Sequence, residues 1–522
     1  MSILQPINNS NFAPARVYSP YQEAIFRAFT QGTGNIVVEA VAGSGKTTTL
    51  VEALKRWQAV AGNNQKTAVF LAFNKSIADE LSRKVPAGVE AKTMHSLCFR
   101  AVARRFKGIK VDDQKMRFTA KLVAEKVHGT RDREQTNKLV GDMAKAHGLM
   151  RGTMTSLSDL GAITETLAAY GAVLDCPALS VPMLAELDQV LRSETSACTY
   201  DEMLTFVVDH GIPLPQYDLI CVDESQDLNL LQIELLKRAL KPGGRLVAVG
   251  DSRQAIYLFR GADSRAMARI REDFNVSDGN CLPLSITYRC PRAVVQLAQQ
   301  WVPHIQAADG AIDGTVVQNE AKQMSETLLN LPAGSMVICR VNAPLIGAAL
   351  GLIAKGKKAV VRGRDIGKNV SKLAIKLSKN LADHDVPELC ARIADYAREE
   401  SVKMRKARKD AQAQQIEDMG ETLLALLNGI SSLSALDARI ESLFSDDVVG
   451  VVFTSGHKSK GLEADVVVWL APEKNDQIEM RAKNDAAITQ ENNLRYVTVT
   501  RAMKILVLQP MPERDKPEEK DI

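Results

Sequence analysis

Two kinds of hydrophobic pattern alternate along this chain of 522 residues. Residues 36–40, 66–73, 217–222 and 245–249 are short, nearly continuous apolar runs without the in–out alternation of a half-solvated strand. Such runs, separated by helical patterns such as 76–84 and 228–240, predict parallel strands covered by helices on both faces. A second set follows at 335–339, 358–361, 448–453, 465–470 and 505–508. Each set is interrupted. From 99 to 200 apolar residues recur at helical spacing, as over 116–127 and 136–147, and from about 366 to 445 charged helical sequence takes over. The pattern predicts an α/β fold of two parallel-sheet units, each with a helical insertion. The expected domains are 1–98 with 200–280, an insertion at 99–199, 281–365 with 446–512, a small insertion at 366–445, and a charged, disordered tail at 513–522. Residues 1–15 read as a loose leader, and Ser19 and Pro20 as the N-cap and first-turn proline of the first helix.

Composition narrows the class. A hydrophobic content of 45% with 25% charged residues is that of a globular protein. No apolar run reaches the 18 or so residues of a membrane span, and the first residues lack the apolar core of a secretory signal. The expectation is therefore an intracellular, cytoplasmic protein without a membrane partner. The net charge of +4 is small, so any nucleic-acid groove must be local. Eight scattered cysteines without a C-x-x-C pair argue for reduced thiols and against zinc. The basic run within 399–410 (Lys403, Arg405, Lys406, Arg408, Lys409) is read as a solvated helix face in preference to a DNA contact.

Candidate chemistry starts at the first apolar run. After 36–40 come Val41, Ala42, Gly43, Ser44, Gly45, Lys46, Thr47 and Thr48, where a helix begins. Strand, glycine loop and helix in that order form a phosphate-binding P-loop, in which backbone N–H groups and the helix N-terminus make an anion site. Lys46 is expected on the β/γ-phosphates and Thr47 on Mg²⁺. The usual spacing has glycine where this chain has Ala40.

The run 217–222 ends in Asp223 and Glu224, at the strand's carboxyl end where open α/β sheets bind ligands. Asp223 is expected to hold Mg²⁺ and Glu224 to orient and deprotonate the attacking water. After 245–249, Gln254 is placed to sense the γ-phosphate. Of the aromatics beyond it, Phe259 is assigned to the core.

With these motifs in hand, the chain resembles a superfamily 1 helicase of the UvrD/Rep/PcrA type, in a short form similar to the Fbh1-like branch. The likeness covers about 16–510. Tyr21 and Gln22 match the Q-motif, 70–75 motif Ia, 93–96 the next DNA-facing motif, 223–227 motif II, 250–262 motif III, 287–289 motif IV, 457–463 motif V and 494–502 motif VI. Ser252, Arg253, Ser455 and Ala464 depart from the usual residues. The resemblance implies two RecA-like lobes (domains 1A and 2A, with insertions 1B and 2B) and ATP with Mg²⁺ between them. It further implies Gln22 reading adenine, Tyr288 stacking on it, Glu463 on the ribose, and Arg289 with Arg501 reaching the γ-phosphate.

The implied partners are single-stranded and tailed duplex DNA, with replication or recombination proteins beside them, and the chain acts as a monomer. Aromatic platforms and cations suit single strands. The candidates are Phe73, His95, Tyr257, Arg260 and Trp469, with core packing as the competing reading for Trp469. The expected function is an ATP-dependent single-stranded DNA translocase and helicase, with 3′→5′ polarity implied by the family. The alternative is an ATP-dependent remodeller that strips proteins from single strands with little unwinding.

Overall fold

The computed structural model describes residues 17–128, 133–170, 172, 174, 179–257, 261–263, 265–406, 410–444, 450–480 and 485–512. The expected leader and tail lie outside the described residues.

Two six-stranded parallel sheets organise the chain. The first runs in the order Val89–Thr93, Ala68–Ala72, Tyr217–Val222, Leu240–Gly250, Ile36–Ala40, Cys281–Leu284. The second runs Thr315–Gln318, Ala502–Gln509, Ala464–Leu470, Met336–Cys339, Val451–Ser455, Ala359–Val361. Successive residues of a strand point to opposite faces, and the packing follows that rule. Val37, Val69, Leu71, Ile220, Val222 and Leu246 enter one cluster, while Ile36, Val38, Phe70, Cys221, Val247 and Val249 enter another on the other face. Burial on both faces is why these runs read as continuously apolar.

Three strands of these two sheets were not expected from the pattern: Val89–Thr93, Cys281–Leu284 and Thr315–Gln318. All three are edge strands. An edge has one unpaired side and is kept short or polar, which weakens its signature. Here Glu90, Lys92, Pro283 and Thr315 interrupt it. Cys281–Leu284 pairs with Ile36–Ala40, so the first sheet ends at Leu284 and the expected boundary at 280 moves accordingly.

The two insertions differ in how they attach. Helices Lys115–His128, Arg133–Gly152, Leu160–Ala169 and Val181–Ser193 enclose two small apolar clusters of their own. They are tied to the first sheet unit by the buried Lys115 ammonium. It donates to the carbonyls of Leu191, Glu194 and Ala197 and to the Glu202 carboxylate at 2.7–3.2 Å. The second insertion comprises Arg364–Leu377, Val386–Lys406, Asp410–Leu427 and Ser434–Leu443. Its apolar residues join the cluster that covers one face of the second sheet. Of the basic run, Lys403 pairs with Glu400 and Arg405 with Glu417 on an exposed helix surface, and Arg408 and Lys409 lie outside the described residues. Among the described residues no helix is long and apolar enough to cross a membrane.

Candidate active site

The loop after Ile36–Ala40 turns twice through left-handed glycines, Gly43 at φ 71° and Gly45 at φ 77°. A side chain at Gly43 would strike Arg289 Cβ at 2.5 Å and Thr287 Oγ1 at 2.7 Å, so only glycine fits this approach. Gly45 is the N-cap of helix Lys46–Ala59 and gives it no side-chain cap. The first N–H groups of the helix thus remain available to an anion. Ser44 Oγ is buried without a protein partner. An open helix N-terminus, an orphaned hydroxyl and a buried ammonium at Lys46 fit a polyphosphate.

The acidic partners stand at strand ends, as expected for an open parallel sheet. Thr47 Oγ1 donates to Asp223 Oδ2 at 2.6 Å, and Lys46 Nζ lies 3.3 Å from Glu224 Oε1. Glu224 has φ 53°, a left-handed conformation unusual for a side-chain-bearing residue and found most often at functional sites. Burial and then the adjacent Glu224 raise the Asp223 carboxyl above its ordinary range. Burial is also the strongest influence on Glu224 and acts upward, but Lys46 and then Lys460 outweigh it and hold that carboxyl low. Lys46 offsets the rise at Asp223 only in part, while Glu224 has both Lys46 and Lys460. A hydroxyl and an incompletely compensated carboxylate 2.6 Å apart form a donor pair that a hard divalent cation such as Mg²⁺ suits.

The opposite wall comes from the second sheet unit and the segment leading into it. Arg289 and Arg501 line a cleft of about 410 Å³ together with Lys46, Thr47, Glu224 and Gln254. The two arginines are engaged by their own side of the cleft. Arg289 Nε donates to Glu463 Oε2 at 2.6 Å. Arg501 is fully buried and donates to the carbonyls of Val497 and Leu462 and to Thr500 Oγ1 at 2.8–3.1 Å. Gln22 donates through Nε2 to Thr49 Oγ1 at 3.0 Å, and its Oε1 accepts from Tyr288 OH at 3.2 Å. Tyr288 is half exposed.

The comparisons agree with this two-sided arrangement. The family described as "AAA domain" matches residues 22–260, and the family described as "UvrD-like helicase C-terminal domain" matches 357–511. Between them they take in five strands of the first sheet and four of the second, with Arg501 but not Arg289. The chain belongs to the UvrD-like superfamily 1 helicases. It is 24% identical to the F-box DNA helicase protein 1 of Schizosaccharomyces pombe over 95% of this chain and 59% of that protein. It is 22% identical to the ATP-dependent DNA helicase UvrD2 of Mycobacterium tuberculosis over 91% of this chain and 76% of that protein. The Probable DNA helicase II homolog of Mycoplasma genitalium is 37% identical over 18% of this chain and 13% of its own length. The chain therefore spans less than two thirds of the fission-yeast and Mycoplasma relatives.

Not every residue that the family resemblance pointed to is placed for contact with a nucleic acid. Phe73 is 50% exposed and stacks on Tyr257, with centroids 6.3 Å apart and planes 9° from parallel. This pair forms an aromatic ledge beside the cleft. Trp469 does not join it. At 6% exposure it packs edge-on against Trp301 and donates from Nε1 to Asn475 Oδ1. The strand carrying it is internal to the second sheet, so the residue is core and the expected platform is corrected. His95 is half-buried edge-on to Tyr200, with its basicity lowered by burial. Arg260 and Phe259 lie outside the described residues.

Three second-lobe side chains, two within the matched motifs and Asn493 just before one, were not singled out from sequence. Lys460 donates to Asp227 Oδ2 at 2.6 Å and to the Gln254 carbonyl at 2.9 Å. Asn493 Nδ2 donates to the carbonyls of Ser252 and Ala255, and Tyr496 OH contacts both Ala42 and Asp251. A signal was available for two of them: Lys460 adjoins Gly461, and Tyr496 lies between Leu494 and Val497, whereas Asn493 ends the polar run 490–493.

Proposed function

We propose that the chain is an ATP-driven motor on single-stranded DNA that separates duplex strands, moving 3′→5′. The observation carrying this reading is the division of the cleft. The phosphate loop, Asp223 and Glu224 stand on one sheet unit, whereas Arg289 and Arg501 belong to the other side. A triphosphate bridging the two walls draws them together, and its cleavage removes the bridge. If DNA lies across both units, that cycle becomes movement along a strand.

In this reading the loop amides of 43–48 and Lys46 hold the phosphates, while the Ala42 N–H, taken by Tyr496, fixes the loop instead. Glu224 takes a proton from water as the water oxygen bonds to the γ-phosphorus and the bond to the β–γ bridging oxygen breaks. Arg289 and Arg501 leave their present partners to offset charge on the terminal phosphate, and Gln254 orients that end. Thr47 and Asp223 would hold Mg²⁺, which when bound neutralises negative charge on the phosphate oxygens. Tyr288 and Gln22 receive the base and Glu463 the sugar. The ledge of Phe73 and Tyr257 receives stacked bases. The division into two RecA-like lobes, residues 1–98 with 200–284 and 285–365 with 446–512, and into insertions 99–199 and 366–445 belongs to the same reading. So do an intracellular monomer and the 3′→5′ polarity, which rests on the family likeness.

The test is strand displacement with 3′- and 5′-tailed duplexes, alongside ATP hydrolysis with and without single-stranded DNA. Displacement of the 3′-tailed substrate supports the proposal. ATP hydrolysis that single-stranded DNA fails to stimulate would sink it. Stimulated hydrolysis without displacement replaces it with a motor that clears proteins from single strands.

A further inference from the structure

The P-loop is held by the second lobe as well as the first. Val41 and Ala42 are fully buried in the apolar cluster built from Cys290, Val294, Val467, Tyr496 and Leu506 of the other side. The Tyr288 N–H donates to the Gly43 carbonyl at 2.9 Å. At the centre of this seam is Tyr496, on helix Asp485–Val499, with no exposed surface. Its hydroxyl accepts the Ala42 N–H at 2.8 Å and donates to Asp251 Oδ2 at 3.3 Å. The same Asp251 oxygen accepts from Gln254 Nε2 at 2.7 Å, and Asp251 Oδ1 accepts the Arg253 N–H at 3.0 Å.

These contacts make a chain: loop amide, phenol, carboxylate, Gln254 amide. A buried aromatic packs equally well as phenylalanine, so the hydroxyl is explained by its partners and not by the core around it. Without it the buried Ala42 N–H loses its partner and the buried Asp251 Oδ2 keeps only the Gln254 bond. Tyr496 does not line the cleft, whereas Gln254 does.

We propose that Tyr496 is a positioning residue that joins the P-loop to Gln254 through Asp251, so that seating the loop on a nucleotide and aiming the Gln254 amide are one movement. The second lobe thereby sets the first lobe's phosphate-end geometry without touching the nucleotide there. This rests on the hydrolysis reading given above.

Steady-state ATP hydrolysis by Tyr496→Phe, Gln254→Ala and the double variant tests it. Losing a hydrogen bond to a buried charged group predicts a kcat lowered about ten- to hundredfold, and KM stays within about twofold because the phosphate loop and Lys46 remain. In the Gln254→Ala background Tyr496→Phe changes kcat no further, because its effect runs through that amide. A Tyr496→Phe chain with unchanged kcat overturns the proposal, as does a loss that multiplies with that of Gln254→Ala. If Tyr496→Phe fails to fold, Asp251→Asn cuts the same chain at its middle. It must then show the same kcat loss and the same silence in Gln254→Ala, and wild-type kcat there overturns the proposal. A wild-type chain that hydrolyses no ATP removes the hydrolysis reading first, and this one with it.

Discussion

The two walls of the cleft are in different states of readiness. On the first, Lys46 and Thr47 are already turned to Glu224 and Asp223 at 3.3 and 2.6 Å. Strand ends and a helix N-terminus fix them there, and the backbone supplies the aim. On the second, Arg289 is held by Glu463, and Arg501 spends its donors on Val497, Leu462 and Thr500. Burial and then Arg289 lower the Arg501 guanidinium from its ordinary value, though it stays charged near neutral pH. The first wall offers an uncapped helix N-terminus beside the Lys46–Glu224 and Thr47–Asp223 contacts, while on the second both arginines must exchange internal partners for a ligand. Binding and chemistry are thereby separated. In the proposed reading the first wall captures the nucleotide, and the cost of releasing the arginines is met when the terminal phosphate arrives.

Variants should divide along that line. The largest losses belong to the first wall. Lys46→Ala should abolish both nucleotide binding and turnover, whereas Glu224→Gln should abolish turnover and keep binding. Equilibrium binding of a fluorescent ATP analogue beside phosphate release separates the two. Turnover retained by Glu224→Gln removes Glu224 as the base. Next come the arginines. Arg289→Ala should lower kcat about 10³-fold or more, the scale of cationic fingers in phosphoryl transfer, with a smaller effect on binding. If Arg289→Ala instead weakens binding as much as Lys46→Ala does, the second wall is no later participant and the contrast fails.

Much of this contrast was readable in the sequence, and the reason is physical. A P-loop or a strand-end Asp–Glu pair is local: neighbouring residues and one strand decide where the side chain points. The interior strands were equally plain, since Tyr217–Val222 and Ile36–Ala40 are apolar on both faces. What stayed hidden depends on non-local partners. The polar edge strand Val89–Thr93 is a strand only because Ala68–Ala72 lies beside it. Trp469 is core only because Trp301 and Asn475 arrive from elsewhere. That Arg289 is paired with Glu463, or that Tyr496 reaches Ala42, is a fact of the assembled seam.

The aromatic residues give a smaller contrast of the same kind. Phe73 of the first unit is exposed and stacked on Tyr257, and Trp469 of the second is enclosed. Phe73→Ala should weaken single-stranded DNA binding by about 1–3 kcal/mol, one base's worth of stacking, while leaving the melting temperature nearly unchanged. Trp469→Ala should leave a cavity costing about 3–5 kcal/mol of stability. Its DNA affinity, measured by fluorescence anisotropy below the melting point, should stay near that of the parent. Equal DNA defects in both variants would return Trp469 to the nucleic-acid surface.

The mildest effect should come from pH, and it too distinguishes the walls. Asp223 is raised by burial and by Glu224. It therefore holds its proton more firmly folded than unfolded. Its contribution to stability is present below the ordinary carboxylate value and is lost as pH rises through the raised one. A divalent cation at Thr47 and Asp223 favours the ionised carboxylate and reverses that preference. Mg²⁺ affinity in the presence of ATP should therefore fall by up to about tenfold per pH unit as the solution is acidified through this range, with a proton released on binding. Calorimetric titration in two buffers of different ionisation enthalpy measures the proton directly. Asp223→Asn should abolish the release, whereas Glu463→Gln, on the other wall, should not alter it. Release that persists in Asp223→Asn would place the titrating group elsewhere and leave the first wall's metal site without its acidic ligand.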